Sequence, residues 1–205
     1  FRYSYDVDGN LVSRTYPDVA VVSAGFDRDG RLVSLSEGGR SQSFTYDPAG
    51  RLLGASAPVA AGPAESRSYD DAGRLTQVRN AGASGVLSQF DRTLDPVGNP
   101  LRIDTTRGGA TSSEVFEYDP SDRLTSWCQG TSCAGASASI AYSYDAVGNR
   151  TQQVRTGVSD PGTTSYQYDV ADQLIEITGP SGTVVPTYDA VGNLTGQGGT
   201  SFAYD

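Results

Sequence analysis

The stretch Ser43-Phe-Thr-Tyr-Asp-Pro-Ala-Gly-Arg-Leu-Leu53 decides the fold, because its wording returns throughout the chain. Aligned on its Tyr-Asp pair, the sequence gives Tyr5-Asp-Val-Asp-Gly-Asn-Leu11, Phe26-Asp-Arg-Asp-Gly-Arg-Leu32, Tyr46-Asp-Pro-Ala-Gly-Arg-Leu52 and Tyr69-Asp-Asp-Ala-Gly-Arg-Leu75. Leu94-Asp-Pro-Val-Gly-Asn-Pro100, Tyr118-Asp-Pro-Ser-Asp-Arg-Leu124, Tyr144-Asp-Ala-Val-Gly-Asn-Arg150, Tyr168-Asp-Val-Ala-Asp-Gln-Leu174 and Tyr188-Asp-Ala-Val-Gly-Asn-Leu194 follow. A tenth copy stops at Tyr204-Asp205. Internal repetition on this scale points to an architecture in which each repeat is one small supersecondary unit stacked on its neighbours.

Each position of the phrase has a mechanical reading. An Asp side chain accepts hydrogen bonds from backbone N–H groups just downstream, Pro presets φ for a type I turn, and Gly three residues after Asp supplies a left-handed conformation. Together they specify a three-residue hairpin loop closed by a G1 bulge. The turn residues are therefore Asp6 with Gly9, Asp27 with Gly30, Asp47 with Gly50, Asp70 with Gly73, Asp95 with Gly98, Asp145 with Gly148, and Asp189 with Gly192. In the two remaining copies Asp119 and Asp169 are followed by Asp122 and Asp172 in place of Gly, and Asp tolerates the left-handed region better than most residues.

The same turn sets the register. With Asp47 opposite Arg51, Tyr46 faces Leu52 across the hairpin, an aromatic–aliphatic pair. The residue two positions before the Tyr shares its face, so Tyr5, Phe44, Tyr46, Tyr69, Phe116, Tyr118, Tyr142, Tyr144, Tyr166, Tyr168 and Tyr188 form an aromatic face. Ser4, Thr45, Ser68, Glu117, Ser143, Gln167 and Thr187 occupy the other, polar face. The fold class predicted is all-β: tandem antiparallel hairpins forming a sheet over residues 1–205, with nine complete repeats, a truncated tenth and about eighteen strands. An open sheet of more than ~10 strands curls, so the sheet is expected to form part of a spiral shell, its aromatic face turned toward shelter. No gap between repeats marks a domain boundary, and the longer ones, such as Arg155-Thr-Gly-Val-Ser-Asp-Pro-Gly-Thr-Thr-Ser165, are read as exposed loops.

Composition supports this and excludes several partners. Gly 25 and Pro 10 with 12 Tyr and no Met disfavour long helices. The net charge of −9, with every base an Arg and no basic stripe, argues against nucleic acid, and no apolar run is long enough for membrane insertion by a helix. The chain opens and closes inside strand-like phrases, which reads as a segment of something longer.

Tyr-Asp-x-x-Gly-Arg-Leu, with Asn as the common alternative to Arg, resembles the YD repeat of the Rhs family, which also occurs in bacterial wall-associated proteins, in the C components of insecticidal Tc toxins and in teneurins. The resemblance covers essentially the whole chain. It implies a β-sheet strip spiralling into a hollow cocoon that encloses a toxic C-terminal polypeptide in the bacterial relatives; in teneurins the similar shell belongs to an extracellular adhesion receptor. The expected setting is a secreted or surface bacterial protein. The expected partners are flanking YD repeats and an enclosed C-terminal toxin domain of the same protein. Toxin-releasing relatives carry an Asp-rich self-cleaving core with paired Asp-Pro motifs after the repeats. Here Asp47-Pro48, Asp95-Pro96 and Asp119-Pro120 are hairpin turns and Asp160-Pro161 sits between hairpins, so no protease residue is assigned.

Nothing else in the sequence stands out as chemistry. Aspartates of successive hairpins lie about two strand spacings apart, ~9.6 Å, too far for a carboxylate dyad or a shared metal. Asp6-Val-Asp8-Gly9 and Asp27-Arg-Asp29-Gly30 echo an EF-hand loop but lack its later acids. With no His there is no Ser/His or Cys/His arrangement. No catalytic, cofactor or metal residue is assigned, and the segment is read as non-enzymatic. Arg31, Arg51, Arg74 and Arg123, opposite the turn aspartates, are read as members of exposed ion pairs, each of little consequence. Cys128 and Cys133 are expected to close a short disulfide, with two free thiols as the alternative; a disulfide implies export. Asn149-Arg-Thr151 and Asn193-Leu-Thr195 match glycosylation acceptors, but both Asn residues are turn residues. The rival reading is an adhesion or carbohydrate-binding module in which the aromatic face, the variable loops and the single Trp127 contact surface glycans.

Overall fold

The computed structural model describes residues 1–56 and 62–203; the truncated repeat Tyr204-Asp205 lies outside them. Among the described residues there is no helix, and the chain divides into two compact units, Phe1–Ser112 and Ser113–Asp205.

In the first unit, β1 (Arg2–Tyr5) and β2 (Leu11–Thr15), β3 (Val21–Phe26) and β4 (Leu32–Glu37), β5 (Arg40–Tyr46) and β6 (Leu52–Ala55), β7 (Ala64–Tyr69) and β8 (Leu75–Gly82), and β9 (Gly85–Leu94) and β10 (Pro100–Arg107) are hairpins joined at their turns by the repeated phrase. Strands consecutive in sequence also pair between these hairpins, as β2 with β3, β4 with β5, β6 with β7 and β8 with β9.

The second unit repeats the pattern. Its hairpins are β11 (Ala110–Tyr118), which belongs to this unit from Ser113 onward, with β12 (Leu124–Gln129), β13 (Ala138–Tyr144) with β14 (Arg150–Thr156), and β15 (Gly162–Tyr168) with β16 (Leu174–Gly179), followed by β17 (Gly182–Val184). A separate three-stranded sheet holds β18 (Thr187–Tyr188), β19 (Leu194–Gln197) and β20 (Thr200–Ser201). Strands β17 and β20 bring the described strands to twenty, two more than the nine hairpins supply.

All nine turns share one geometry. In the third, the Asp47 N–H donates to the Arg51 carbonyl at 3.0 Å and the Gly50 N–H to the Asp47 carbonyl at 2.9 Å, with Gly50 at φ 83°. Gly50 and Arg51 opposite Asp47 make the G1 bulge, Tyr46 then faces Leu52, and beyond that pair the register shifts by one residue so that Thr45 faces Gly54. The same pairing and shift recur at Tyr5 opposite Leu11, Tyr69 opposite Leu75, Tyr144 opposite Arg150 and Tyr188 opposite Leu194. Where Asp replaces Gly, Asp122 and Asp172 both take φ 60°.

The opposite ends of the strands hold turns that were not apparent from the repeat. Gly38-Gly39, Gly108-Gly109 and Gly198-Gly199 are two-residue loops with both φ angles positive, the type I′ turn whose twist matches its flanking strands. Residues 16–20 copy the geometry of the repeated turn without its sequence. The Tyr16 N–H donates to the Ala20 carbonyl at 2.8 Å, the Val19 N–H to the Tyr16 carbonyl at 3.0 Å, and Val19 takes φ 64°. A β-branched residue is strained there. The stretch 155–165, read as a long loop, is mostly strand: β14 runs to Thr156 and β15 begins at Gly162.

The core of each unit is thin. Among the described residues only Cys128 is fully buried, and of the other apolar residues only Ala138 and Pro186 are buried. Most of the stabilising contact must therefore come from within the sheet and between neighbouring hairpins.

Candidate functional site

The structure places the repeated residues in a staple that recurs between neighbouring hairpins within each unit. Within a turn, the Asp Oδ1 accepts two backbone N–H bonds; for Asp47 these come from Ala49 and Arg51, both at 2.9 Å. Its Oδ2 accepts from Arg51 Nε at 2.6 Å. Asp27 with Arg31, Asp70 with Arg74 and Asp119 with Arg123 repeat that contact at 2.6–2.7 Å. In Asn copies the amide takes the guanidinium's place, as in Asn10 to Asp6 at 3.0 Å and Asn193 to Asp189 at 2.9 Å. Asn149 instead reaches Asp172 of the following turn at 2.8 Å.

These bonds hold the carboxylates of Asp6, Asp27, Asp47, Asp70, Asp95, Asp119, Asp145 and Asp189 below their ordinary value of 3.8. For Asp27, Asp47 and Asp70 the backbone N–H of the facing Arg is the largest cause, and for Asp6 and Asp189 it is the Asn side chain. For Asp95, Asp119 and Asp145 the largest single influence is burial, which pushes upward, but the combined hydrogen bonds outweigh it.

The arginines are not the exposed pairs expected from sequence. Arg51 keeps its guanidinium 4.8 Å from the ring centroid of Tyr69 in the following hairpin, and the Tyr69 hydroxyl donates to the Leu52 carbonyl at 2.9 Å. Arg31 lies over Tyr46 at 5.2 Å, with Tyr46 bonded to the Leu32 carbonyl at 2.8 Å; Arg123 lies over Tyr144 at 4.7 Å, with Tyr144 bonded to the Leu124 carbonyl at 2.7 Å. A second guanidinium nitrogen reaches the next turn's backbone: Arg31 Nη1 to the Asp47 carbonyl, Arg123 Nη1 to that of Asp145, and Arg74 Nη1 to those of Asp95 and Pro96. Tyr168 and Tyr188 keep the hydroxyl bond, to the Arg150 and Leu174 carbonyls, where Asn149 and Gln173 stand in the Arg position. The pairing of β6 with β7 brings these groups together, because the start of β6 and the end of β7 lie at the same edge.

The repeat's glycine serves this contact too. A Cβ on Gly73 would stand 2.8 Å from Arg51 Nη1, whereas at Gly9 it would meet nothing within 4 Å. So the residue needed for φ also clears the path of the preceding arginine.

The aromatic residues predicted for one face lie partly covered, except Tyr5, which like Phe1 and Tyr3 at the same end of the chain is mostly exposed. That face is not purely aromatic. Arg14 lies among Phe1, Tyr3 and Tyr16, Arg107 over Phe90, and Arg150 between Tyr142 and Tyr166. Trp127 sits opposite Phe116 on β12 and donates from Nε1 to Glu114 at 2.9 Å. Cys128 and Cys133 are disulfide-bonded, with Cα atoms 5.2 Å apart.

These features can be set beside known proteins. The family model described as Teneurin YD-shell matches residues 88–205, more than half of the 205 residues, and that described as RHS Repeat matches residues 26–59. The chain belongs to the YD-shell family. No curated protein matches it. Among solved structures the YD-shell chain resembles one in a TcdB2–TccC3–Cdc42 crystal structure, with 17% identity and TM-score 0.61 over 94% of this chain and 12% of that one. A chain of the Photorhabdus luminescens Tc holotoxin pore gives 16% identity and TM-score 0.60 over 99% of this chain and 12% of that one. At such identities the likeness is one of fold, and the present chain spans only 12% of those molecules' length. As a YD-shell segment it is a structural repeat.

Proposed function

We propose that this segment is a length of wall in the shell of a longer, secreted Rhs-type protein, and that the wall encloses a C-terminal toxin polypeptide. The observation that carries the reading is the staple. Tyr46, Tyr69, Tyr144, Tyr168 and Tyr188 each bond a backbone carbonyl of the preceding hairpin, so each of these five copies fastens its hairpin to the one before. The fold likeness to Tc toxin chains supports the toxin-bearing form of such a shell over others. The aligned aspartates are engaged in turn bonds, which supports a segment without catalysis of its own. The glycan-binding reading receives no such support, because rings such as Tyr69 and Tyr144 already carry guanidinium groups and bond through their hydroxyls.

Limited proteolysis of the full-length protein tests this. The polypeptide following the repeats should resist a protease that digests it readily once expressed alone, and should become sensitive when the repeats are denatured. Equal cleavage rates in the native protein and in isolation would contradict enclosure.

A further inference from the structure

Three arginines in the described structure, Arg14, Arg150 and Arg155, have a buried Nε with no hydrogen-bond acceptor. Arg14 and Arg150 lie against aromatic rings, whose faces attract a cation. Arg155 has neither ring nor carboxylate: among the described residues its guanidinium makes no ion pair, ring contact or side-chain hydrogen bond. With no acceptor among the described residues, the guanidinium keeps its charge and its accessible Nη donors open to an acceptor supplied from outside.

The surroundings of Arg155 leave room for one. It lines a cleft of about 200 Å³ with Asp160, Thr164, Ser181 and the apolar Ile177 and Val184. Part of that room lies at Gly182, where a Cβ would meet nothing within 4 Å, whereas Pro180 and Thr164 fill the space beside Gly162 and Gly179. Arg155 stands opposite Gly162 on β15, while Gly179 and Gly182 face each other across β16 and β17. Arg155 is also on the aromatic face, since Gln153, two residues before it, pairs with Tyr142, and Arg155 itself pairs with Ile140.

We propose that this cleft is a binding site for a carboxylate side chain of a polypeptide. The guanidinium offers its two Nη groups, which unlike Nε are not enclosed, in a planar fork that matches the two oxygens of a carboxylate. The Thr164 and Ser181 hydroxyls can add donors, and Ile177 and Val184 receive the methylene groups of a glutamate. Asp160 at the rim opposes an anion, so binding is weak and selective for a ligand that enters with its carboxylate toward Arg155. The inference deepens the shell reading, in which the aromatic face looks toward the enclosed chain, but the site itself does not depend on enclosure.

The test is NMR observation of the Arg155 Nε–H resonance in the 205-residue chain during titration with N-acetyl-glutamate N-methylamide, and with the glutamine analogue as its neutral match. The glutamate probe should give a saturable shift with a Kd of about 1–10 mM, and the glutamine probe at least about tenfold weaker binding. Asp160→Asn should tighten the glutamate probe by several-fold, and Arg155→Met should abolish its effect. Equal shifts from both probes, or no saturable shift to about 50 mM, would overturn the site. So would an Arg155 resonance displaced by Asp160→Asn alone with glutamate binding unchanged, since Arg155 would then be satisfied by Asp160 in solution. Because the probe is a free amino-acid derivative, failure here leaves enclosure untouched, and failed enclosure leaves this titration valid.

Discussion

The Tyr144 hydroxyl donates a 2.7 Å hydrogen bond to the Leu124 carbonyl, twenty residues earlier, and the Arg123 guanidinium covers the same ring at 4.7 Å. Two residues that begin one hairpin's return strand thus grip the last residue of the next hairpin's outgoing strand. Tyr144→Phe removes the hydroxyl bond alone and is expected to cost about 1 kcal/mol in urea denaturation. Arg123→Met should cost a comparable amount through the lost ring contact and carbonyl bond. Because both act at one junction, the double variant should fall short of the sum by about 0.5 kcal/mol or more. Strict additivity would mean that ring and guanidinium act independently.

Acid should loosen the turns. Asp6, Asp27, Asp47, Asp70, Asp95, Asp119, Asp145 and Asp189 all titrate below the ordinary 3.8 when folded. A carboxyl with a lowered folded value stabilises the fold fully above its unfolded value and loses that contribution as pH falls through the folded one. The urea midpoint should therefore hold steady from about pH 7 to 5 and fall progressively below about pH 4. Since several turns share the effect, the decline should be steeper than one group produces.

Glycine substitutions should separate conformation from crowding. Gly9→Ala and Gly73→Ala both place a side chain at positive φ, each costing about 1–2 kcal/mol. Gly73→Ala should cost more, because its Cβ also meets Arg51. The reverse change at Val19, φ 64°, should raise the melting temperature: Val19→Gly relieves left-handed strain at an exposed site, for a net gain of about 1 kcal/mol.

The nine turns and their register were legible in the sequence because one short phrase determines both. Asp47, Gly50, Tyr46 and Leu52 act within seven residues, so local chemistry was enough. The staple was not legible, because Arg51 and Tyr69 belong to different copies and their meeting depends on how β6 pairs with β7. A signal was present: Arg precedes Leu in the copies whose arginine covers the next ring. The Val19 turn was hidden because its conformation is imposed by the strands around it, against the preference of its own residues. The arginines of the aromatic face escaped for another reason. Arg14 and Arg150 alternate correctly with polar neighbours, but a guanidinium lying on a ring can share a face assigned to aromatics.

Reduction should be felt at one place. The Cys128–Cys133 bridge closes a short loop beside the buried Ala138, and replacing both cysteines with serine is expected to cost about 2 kcal/mol. Hydrogen exchange should quicken in β12 and β13, which pair at Cys128, and stay unchanged in the first unit.

Electron cryomicroscopy of the full-length protein tests the central claim most directly. Residues 1–205 should appear as stapled hairpins in a closed wall, with Tyr69 and Tyr144 turned toward a lumen that contains polypeptide density. An open sheet bounding no lumen, or a wall with those tyrosines on its outer surface, would contradict the account.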